Sequence, residues 1–301
     1  MHPDPYPIIS IQPEWVLESE AMGSKDKFWY RESKGEHEEE SDWLFKYART
    51  TTGEYWAEKI AAEVAHCLKI YHARVELAEF QGDKGSTTES FARDGRELVH
   101  GNQVMAGAVS EYDPETKFRQ SKHTLENIWL AIDKTFVTPD GAVRAKTRMA
   151  EYLVLDAIVG NTDRHHENWG LLRKRSGEVW KGSIAPSFDH ASSLGRELLD
   201  EARQRLLAEH RVGKYAEKAP GAIFLKEDDR RGASPLTLVR YAAVANKEIF
   251  RPALEKVHKL DLALLGDIVE RVPPEWMSAH ARQFALDFMC YSVGQLREVP
   301  I

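Results

Sequence analysis

The sequence predicts an α+β fold in which a strand-rich first third precedes a helical remainder. Residues 1–50 mix prolines, glycines and aromatics with short apolar runs of strand length. Beyond about residue 120, apolar residues recur at the spacing of amphipathic helices. A chain of 301 residues can form two lobes around a cleft. We therefore expect an N-terminal lobe of residues 1–95 and a C-terminal lobe of residues 96–301.

The elements of the N-terminal lobe can be predicted in order. The charged run ESKGEHEEESD is typical of an exposed hairpin tip or a flexible loop, and WLFKYA, residues 43–48, has the composition of a short strand. The segment TTTG then opens a helix that begins at Glu54 and carries acids in its first turn, as the helix dipole favours. ARVELAEFQ predicts another strand, GDKGS a turn, and TTESFARDG a short strand that runs into a connector.

The C-terminal lobe is predicted to be helical with one interruption. HTLENIWLAIDKTF and VRAKTRMAEYLVLDAIVG have helical periodicity, and several amphipathic runs follow from Leu198 to the end of the sequence. Between them, WGLLRKR and EVWKGSIA flank Ser176 and Gly177. This pattern predicts two short strands joined by a turn, and PSFDHASSLG follows them directly.

Composition and charge disfavour several classes of protein. The net charge is -7 and the isoelectric point is near 6.0, so the chain has no overall field that would attract a nucleic-acid backbone. Cys67 and Cys290 lie among apolar neighbours, and we expect reduced core thiols suited to a reducing cytoplasm. The sequence contains neither a signal-peptide pattern nor an apolar run of about 18 residues. We expect a cytoplasmic protein without a membrane span, with secretion by a route that needs no signal peptide as an alternative.

The stretch IVGNTDRHHENWGLL, residues 158–172, has the spacing of a phosphotransfer loop. Asp163 and Asn168 are five positions apart, and Asp189 follows 21 positions later, beyond the predicted hairpin. Phosphoryl transfer needs a carboxylate near the acceptor hydroxyl, an asparagine oxygen on Mg²⁺, and a second carboxylate between Mg²⁺ and the nucleotide. Protein kinases space these groups in the same way, with H-R-D-x-x-x-x-N before a hairpin and an aspartate after it. The pattern predicts a phosphotransferase that uses ATP and Mg²⁺.

Such an enzyme also needs groups that bind the phosphates. Lys46 lies inside the predicted strand, where a buried ammonium requires an anionic partner. Glu54 at the start of the next helix is the expected partner, and Glu58 one turn later is the alternative. The upstream segment MGSKDK offers backbone N–H groups and ammonium groups to phosphates, from the residues Gly23, Ser24, Lys25 and Lys27. An exposed edge-strand lysine and a plain surface turn are the alternative interpretations of these two features.

A metal-hydrolase interpretation would take Asp163, His165, His166 and His190 as a zinc or iron site. Adjacent histidines point to different sides of a loop whether it is extended or helical, and neither H-E-x-x-H nor facial-triad spacing occurs. The sequence therefore favours phosphotransfer over this alternative, and we expect His166 and Glu167 to be solvated.

GNTDRHHEN and SFDHASSLG, preceded by MGSKDKFW, LFKYA and GEYWAEKIAAEV, resemble the HipA-like serine/threonine kinases. The resemblance runs from about residue 20 to about residue 195, is most specific in N-T-D-R-H-x-x-N, and returns in VPPEWMSAHARQFALDF. It implies a divergent two-lobed protein-kinase-like fold and transfer of the γ-phosphoryl group of ATP to a Ser or Thr of a protein. By position it implies a catalytic base at Asp163, with the other roles falling on Lys46 for phosphate, His165 beside the nucleotide, and Asn168 and Asp189 for Mg²⁺.

The resemblance also has consequences outside the catalytic loop. TTESFARDG is similar to the hinge of the family, so Glu89 and Phe91 would present backbone groups to adenine. HipA-like toxins often carry an extra N-terminal subdomain, and we expect a compact version here because about 20 residues precede the glycine segment. Members silenced by autophosphorylation carry a serine before the loop glycine, where this sequence has Met22, so Ser19 or Ser24 would have to replace it.

The resemblance leaves the substrate and the partner open. An antitoxin partner is possible for a HipA-like protein. D-R-H-x-x-N also resembles the phosphatidylinositol kinase loop, so a lipid or small-molecule phosphotransferase of the same fold is one alternative. A pseudokinase that binds nucleotide or a partner is the other.

Overall fold

The computed structural model describes residues 4–20, 27–32 and 41–301. Within these residues the chain builds a six-stranded sheet, a three-stranded sheet and ten α-helices. The large sheet lies in the first third of the sequence and most of the helices follow it, so the expected α+β fold is confirmed. The boundary between residues 95 and 96 stays a prediction. Among the described residues, no helix combines the length and the apolar character that crossing a bilayer requires.

The six-stranded sheet has the order β1-β5-β6-β4-β3-β2. Its strands are β1 (Ile8–Ser10), β2 (Val16–Glu20), β3 (Lys27–Arg31), β4 (Asp42–Tyr47), β5 (Val75–Phe80) and β6 (Asp83–Glu89). The first of these is parallel to β5, and the other neighbours are antiparallel. The aromatic side chains of Phe28, Tyr30 and Phe45 pack on one face. Because side chains alternate along a strand, Lys46 lies on the opposite face, which α1 (Glu54–Cys67) covers.

One expected turn lies two residues earlier than the sequence indicated. The turn between β5 and β6 consists of Gln81 and Gly82, which both have positive φ, as a two-residue hairpin turn requires. The segment GDKGS therefore contributes only its first glycine to the turn, and Asp83 to Ser86 belong to β6. This prediction was wrong because the polar residues of β6 resemble a turn, although several of them are buried in the sheet.

The helices of the C-terminal part surround one central helix. They are α2 (Gly101–Ala106), α3 (Leu125–Thr135), α4 (Pro139–Val159), α5 (Asp200–Ala208), α6 (Val212–Lys218), α7 (Pro235–Ala245), α8 (Lys247–Lys259), α9 (Leu262–Glu270) and α10 (Ala279–Arg297). Helix α4 packs against α3, α7, α8 and α10 and is buried along its second half. The side chains of Thr124, Thr138, Ser234 and Ser278 cap four of these helices at the N-terminus. Cys67 and Cys290 are unbridged, but both are partly exposed rather than core residues.

The predicted hairpin is present and forms part of a small antiparallel sheet. Its strands β8 (Gly170–Ser176) and β9 (Val179–Ile184) join β7 (Glu97–His100) in the order β7-β8-β9. Asn168 precedes the hairpin and Asp189 follows it, so the antiparallel strands return the chain to the end at which it entered. The hairpin thereby brings the two predicted metal ligands to the same end of its strands.

Candidate active site

The loop that carries Asp163 begins where α4 ends at Gly160. This glycine has φ of 66°, and a Cβ placed on it would lie 2.3 Å from the ring of Phe288. Asn161 then connects the loop to the helix: its Nδ2 donates to Asp156 Oδ1 over 2.9 Å, and its Oδ1 accepts from the Asp163 N–H over 3.1 Å. The position of Asp163 is therefore fixed by backbone and side-chain contacts to the end of α4.

Asn168 is held in an orientation that suits a metal ligand. Its Nδ2 donates to the carbonyl oxygen of Asp163 over 2.7 Å, and its backbone N–H donates to His165 over 2.9 Å. Because its amide nitrogen is bound within the loop, the side-chain oxygen is the atom left for a cation. The carboxylate of Asp163 is 39% exposed and so is open to an acceptor molecule. The loop therefore offers one accessible carboxylate and one oriented amide oxygen.

Lys46 lies close to the turn that carries Asp189, the second predicted metal ligand. Its Nζ lies 3.2 Å from Asp189 Oδ1 and 3.6 Å from Glu58 Oε1. Burial alone would lower the pKa of the Lys46 ammonium, but the carboxylates of Asp189 and Glu58 outweigh burial and raise that pKa above its ordinary value. Ser86 Oγ donates to Glu58 Oε2 over 2.9 Å, which holds the fully buried carboxylate in place. Lys46 is therefore a protonated, partnered lysine and not an exposed edge-strand lysine.

Glu58, and not Glu54, is the helix carboxylate that pairs with Lys46. Glu54 instead accepts a hydrogen bond from Arg196 and lies 3.7 Å from Arg49. The reason is the register of α1: Glu54 lies at the N-terminus of the helix, close to Arg196 in the segment after Asp189, and Glu58 lies one helical turn further along. The expected partner is thus corrected from Glu54 to Glu58, and a place for Glu54 in the nucleotide site loses its support.

Arg164 is an organising residue that the sequence analysis missed. Its guanidinium is buried and binds Asp156 through two hydrogen bonds, Nε to Oδ2 over 2.8 Å and Nη2 to Oδ1 over 2.7 Å. Its Nη1 donates to the carbonyl oxygens of Asn168 over 2.6 Å and Phe188 over 3.1 Å. Nη2 also donates to Ser187 Oγ over 3.0 Å. Arg164 thereby ties α4, the loop that carries Asp163 and the turn that carries Asp189 into one unit. The available signal was the lone aspartate in the apolar helix text LVLDAIV, because a buried carboxylate needs a cation.

Asp189 has a left-handed backbone, with φ of 57°, and its side chain is partly exposed. The preceding residues are anchored, since Ser187 Oγ and His190 Nε2 lie 2.7 Å apart and the Ser187 N–H donates to Tyr71. His190 is buried behind this turn, and burial holds its pKa well below the ordinary value. The turn thus directs the Asp189 carboxylate towards Lys46, and burial keeps the neighbouring His190 imidazole neutral.

His165 lies beside Asp163, and its expected place beside the nucleotide stays a prediction. Its Nε2 is 3.9 Å from Asp163 Oδ1, and its Nδ1 accepts from the Glu167 N–H over 3.1 Å. Burial and, to a lesser extent, the Lys117 ammonium lower the pKa of His165 to about 4. A neutral ring that accepts at Nδ1 carries its proton on Nε2, the nitrogen nearer to Asp163.

His166 is buried, so the expectation that it is solvated was wrong. It turns away from His165 into the C-terminal core, where its Nδ1 lies 2.7 Å from Tyr112 Oη. Glu167 is partly exposed and pairs with Lys117 over 2.7 Å. Across the residues that the structure describes, no three His, Cys, Asp or Glu side chains are grouped as a metal site would need. The zinc or iron alternative therefore has no support in this part of the chain.

The segment expected to act as the hinge lies beside the turn that carries Asp189. Glu89 ends β6, and its backbone N–H donates to Arg74 over 3.0 Å, so this N–H is not available to a nucleotide. The Glu89 carboxylate pairs with Arg93 over 2.5 Å. The ring of Phe91 packs against that of Phe188, with centroids 5.4 Å apart. A hinge role for Glu89 and Phe91 stays a prediction that depends on their other backbone groups.

The predicted phosphate segment falls partly outside the described residues. Gly23, Ser24 and Lys25 lie there, and the expectation about them stays untested. Lys27 is described: it begins β3 and is the register partner of Lys46 in the neighbouring strand. The two lysines therefore stand side by side in the sheet.

Two known proteins, CtkA and HipA, resemble this chain in sequence or in structure. The serine/threonine-protein kinase CtkA of Helicobacter pylori strain J99 is 25% identical over 136 residues, which are 44% of this chain and 39% of that protein. A crystal structure of a Helicobacter pylori proinflammatory kinase CtkA superimposes with a TM-score of 0.71 at 18% identity, covering 97% of each chain. HipA from a Shewanella oneidensis MR-1 HipA, HipB and operator DNA complex superimposes with a TM-score of 0.59 at 13% identity, covering 97% of this chain and 69% of that one.

These two structures establish the likeness of fold, and the kinase-like fold expected from the sequence is confirmed. The sequence alignment with CtkA spans well under half of that protein, 39% of its length. A family model provides the broader match, since the HipA-like C-terminal domain aligns with residues 19–251, more than half of the chain. The chain therefore belongs to the HipA-like C-terminal domain family.

Proposed function

We propose that the protein is an ATP- and Mg²⁺-dependent kinase that transfers the γ-phosphoryl group to a Ser or Thr hydroxyl of a protein. The observation that supports this most strongly is the meeting of Lys46, Glu58 and Asp189, together with the Arg164 bonds that join the Asn168 carbonyl oxygen to that of Phe188, next to Asp189. Family membership and the likeness to CtkA support a kinase-like activity independently of this geometry.

Lys46 is suited to binding phosphate oxygens. Its ammonium remains charged at physiological pH because the neighbouring carboxylates raise its pKa. Glu58 is fixed by Ser86 and pairs with the ammonium, so the lysine is held in the cleft before a ligand arrives. In our proposal, phosphate oxygens share Lys46 with Glu58 while Asp189 turns to the cation.

Asn168 and Asp189 are suited to holding Mg²⁺. Both offer oxygen atoms, and Mg²⁺ is usually bound by one or two protein oxygens together with substrate phosphates and retained waters. A site with only these two ligands therefore fits the cation, and a dense acidic cluster is not required. When bound, Mg²⁺ neutralises phosphate charge that would otherwise oppose transfer.

Asp163 is suited to orienting the acceptor hydroxyl and accepting its proton. Its carboxylate is partly exposed, and the loop beneath it is fixed through Asn161 and Asn168. The neutral ring of His165 leaves the carboxylate acceptor-competent, because it adds no positive charge beside it. Removing a positioned general base typically lowers a rate by about 10²–10⁴-fold.

The proposal also includes the kind of acceptor and the kind of partner. The name of CtkA as a serine/threonine-protein kinase supports a hydroxyl of a protein as the acceptor. The HipA structure, solved with HipB, supports a search for an antitoxin-type partner. We also propose a cytoplasmic location.

A transfer assay with γ-labelled ATP tests the proposal. Wild-type protein, Asp163→Asn and Asp189→Asn are incubated with ATP, Mg²⁺ and protein, lipid or aminoglycoside acceptors. Asp267→Asn, an exposed carboxylate on α9, is the matched control. We expect labelled Ser or Thr in a protein with the wild type and the control, and a loss of about 10²-fold or more with both site variants.

The other outcomes contradict the proposal in distinguishable ways. Label in a lipid or an aminoglycoside would support the alternative phosphotransferases of the same fold. A rise of the melting temperature with ATP and Mg²⁺, without transfer to any acceptor or to the protein itself, would support a pseudokinase. Undiminished transfer by Asp163→Asn and Asp189→Asn would refute the site assignment.

A further inference from the structure

A groove of about 840 Å³ lies on the C-terminal part, away from the residues assigned above to phosphotransfer. The β8–β9 hairpin, α2, the end of α3 and the start of α4 form its walls. Its floor is apolar and consists of the buried side chains of Val104, Ala108, Ala145, Leu171 and Ile184. A floor of this kind offers a place where an apolar side chain of a ligand can be removed from water.

The charged residues that line this groove are all basic. They are Lys134, Arg144, Arg148, Arg173 and Lys181, and the lining contains no aspartate or glutamate. Neighbouring carboxylates neutralise two of them, since Arg173 pairs with Glu97 over 2.5 Å and Arg148 pairs with Glu151 over 3.2 Å.

Arg144 and Lys181 are exposed, and no carboxylate in the described part of the chain forms an ion pair with either. A chain of net charge -7 thus carries a locally positive groove. Such a reversal favours a negatively charged ligand at this place and steers its approach.

The outer edge of β9 adds backbone groups to the groove. This strand is the last in the order β7-β8-β9, and within the described residues it pairs with β8 alone. Its residues Trp180, Lys181 and Gly182 line the groove and are exposed. An unpaired strand edge presents N–H and C=O groups to which an extended peptide can add.

We propose that this groove docks an extended acidic segment of a partner protein. The segment adds alongside β9, places its carboxylates at Arg144 and Lys181, and lays an apolar side chain on the floor. The proposal goes beyond phosphotransfer, because docking requires neither nucleotide nor catalysis. It gives the protein a means of selecting a substrate or a regulator at a distance from the reacting hydroxyl.

A peptide fits this groove better than a nucleic acid does. Proteins that bind DNA through its backbone commonly make about 6–10 phosphate contacts, whereas three cations here, Lys134, Arg144 and Lys181, lack a carboxylate partner in the described residues, and the Lys134 ammonium donates to the Ala108 carbonyl oxygen. The floor is aliphatic, and the exposed ring of Trp180 already has the Arg173 guanidinium on it, 4.3 Å from its centroid. Stacking of successive bases therefore has little support, while the edge of β9 specifically suits a peptide backbone.

Fluorescence anisotropy with a labelled probe tests the proposal on the full chain. The probe is a short synthetic peptide that alternates Glu with Leu and Val, and the matched probe replaces each Glu with Lys. The Arg144→Glu/Lys181→Glu variant should bind the acidic peptide at least about tenfold more weakly than the wild type. The control Lys247→Glu/Lys259→Glu makes the same change of charge at exposed positions of α8 and should bind as the wild type does.

Two further measurements separate docking from loss of structure. The groove variant should keep the unfolding midpoint of the wild type, because the replaced side chains are exposed. It should also keep its basal autophosphorylation or ATP turnover, since neither residue lies in the phosphotransfer site. Binding of the acidic peptide by the wild type should weaken as salt is added.

Any of three results would overturn the proposal. The first is equal affinity of the groove variant and the wild type for the acidic peptide. The second is preference of the wild type for the lysine peptide, or no binding of either peptide. The third is that the wild type binds a single-stranded DNA oligonucleotide more tightly than the acidic peptide and that Arg144→Glu/Lys181→Glu weakens the binding of the oligonucleotide. This result would assign the groove to nucleic acid.

Discussion

The Arg164→Met substitution removes a buried guanidinium that joins three segments of the candidate active site. Methionine keeps much of the volume of the side chain but provides neither the charge nor the donors. The variant leaves the buried Asp156 carboxylate without its bidentate partner, although Asn161 still donates to it over 2.9 Å. The carbonyl oxygens of Asn168 and Phe188 each lose a donor as well.

The expected loss of stability is large because the ion pair is almost completely buried. The side chains of Arg164 and Asp156 are each 3% exposed. Removing one partner of a buried pair lowers the free energy of unfolding by about 3–5 kcal/mol. Each carbonyl left without a donor adds about 1 kcal/mol or more. We expect a total loss of at least about 5 kcal/mol, which is a large part of the stability of a typical domain.

Urea unfolding followed by circular dichroism measures this loss. The control is Arg173→Met, which breaks the exposed ion pair with Glu97, and we expect it to change the free energy of unfolding by at most about 1 kcal/mol. Replacing Asp156 by asparagine in the Arg164→Met background should restore part of the loss, because the unpaired charge is removed. Similar losses for Arg164→Met and Arg173→Met, or no recovery in the double variant, would refute the assigned role of Arg164.

Three further predictions concern the lysine partner, pH and the end of α4. Glu58→Gln should lower the rate of phosphotransfer at least about tenfold, because Lys46 loses its fixed partner. Glu54→Gln, which affects the contact with Arg196, should change mainly the melting temperature. Equal effects of the two variants on the rate would contradict the pairing of Lys46 with Glu58. Burial lowers the pKa of His123 in the folded protein to about 3, so the unfolded chain binds a proton on this imidazole at a higher pH than the folded protein does. The stability that the neutral ring contributes is therefore present above pH 6.5 and is lost as the pH falls from 6.5 towards 3. This protonation should lower the free energy of unfolding by about 2 kcal/mol at pH 5. In urea unfolding, His123→Gln should therefore lose less stability than the wild type between pH 7 and pH 5. Gly160→Ala and Gly177→Ala both place a Cβ on a residue with positive φ, but only the Cβ at position 160 meets a phenylalanine ring, at 2.3 Å. The melting temperature of Gly160→Ala should therefore fall further than that of Gly177→Ala. Equal falls would contradict the packing of Phe288 against Gly160.

The spacing of the sequence was sufficient to predict that the hairpin returns the chain to the loop that precedes it, where Arg164 joins the Asn168 and Phe188 carbonyl oxygens. Asp163 and Asn168 share one loop, and two antiparallel strands of nearly equal length return the chain to Asp189. Local rules govern this geometry, since it depends on a turn and on the alternation of strands. Lys46 could be placed for a similar reason, because a charged residue in an otherwise apolar strand requires a nearby anion.

The contacts that the sequence could not provide depend on packing between distant segments. The choice of Glu58 over Glu54 depends on how α1 is rotated against the sheet, and both lie on one face of a helix at a spacing of four residues. The burial of His166 depends on Tyr112, which lies 54 positions away and has no local relation to the loop. The role of Arg164 likewise depends on the Phe188 carbonyl oxygen in the turn after β9, and a backbone carbonyl gives no signal in the sequence.

A crystal structure with Mn²⁺ and a non-hydrolysable ATP analogue tests the central claim most directly, because the anomalous signal of Mn²⁺ locates the cation. The account predicts a peak between Asn168 Oδ1 and the Asp189 carboxylate, at about 2.0–2.2 Å from each oxygen, with the phosphates near Lys46. A peak bound by His165 or His190, or an analogue bound outside the cleft that Lys46, Asp163 and Asp189 line, would contradict it.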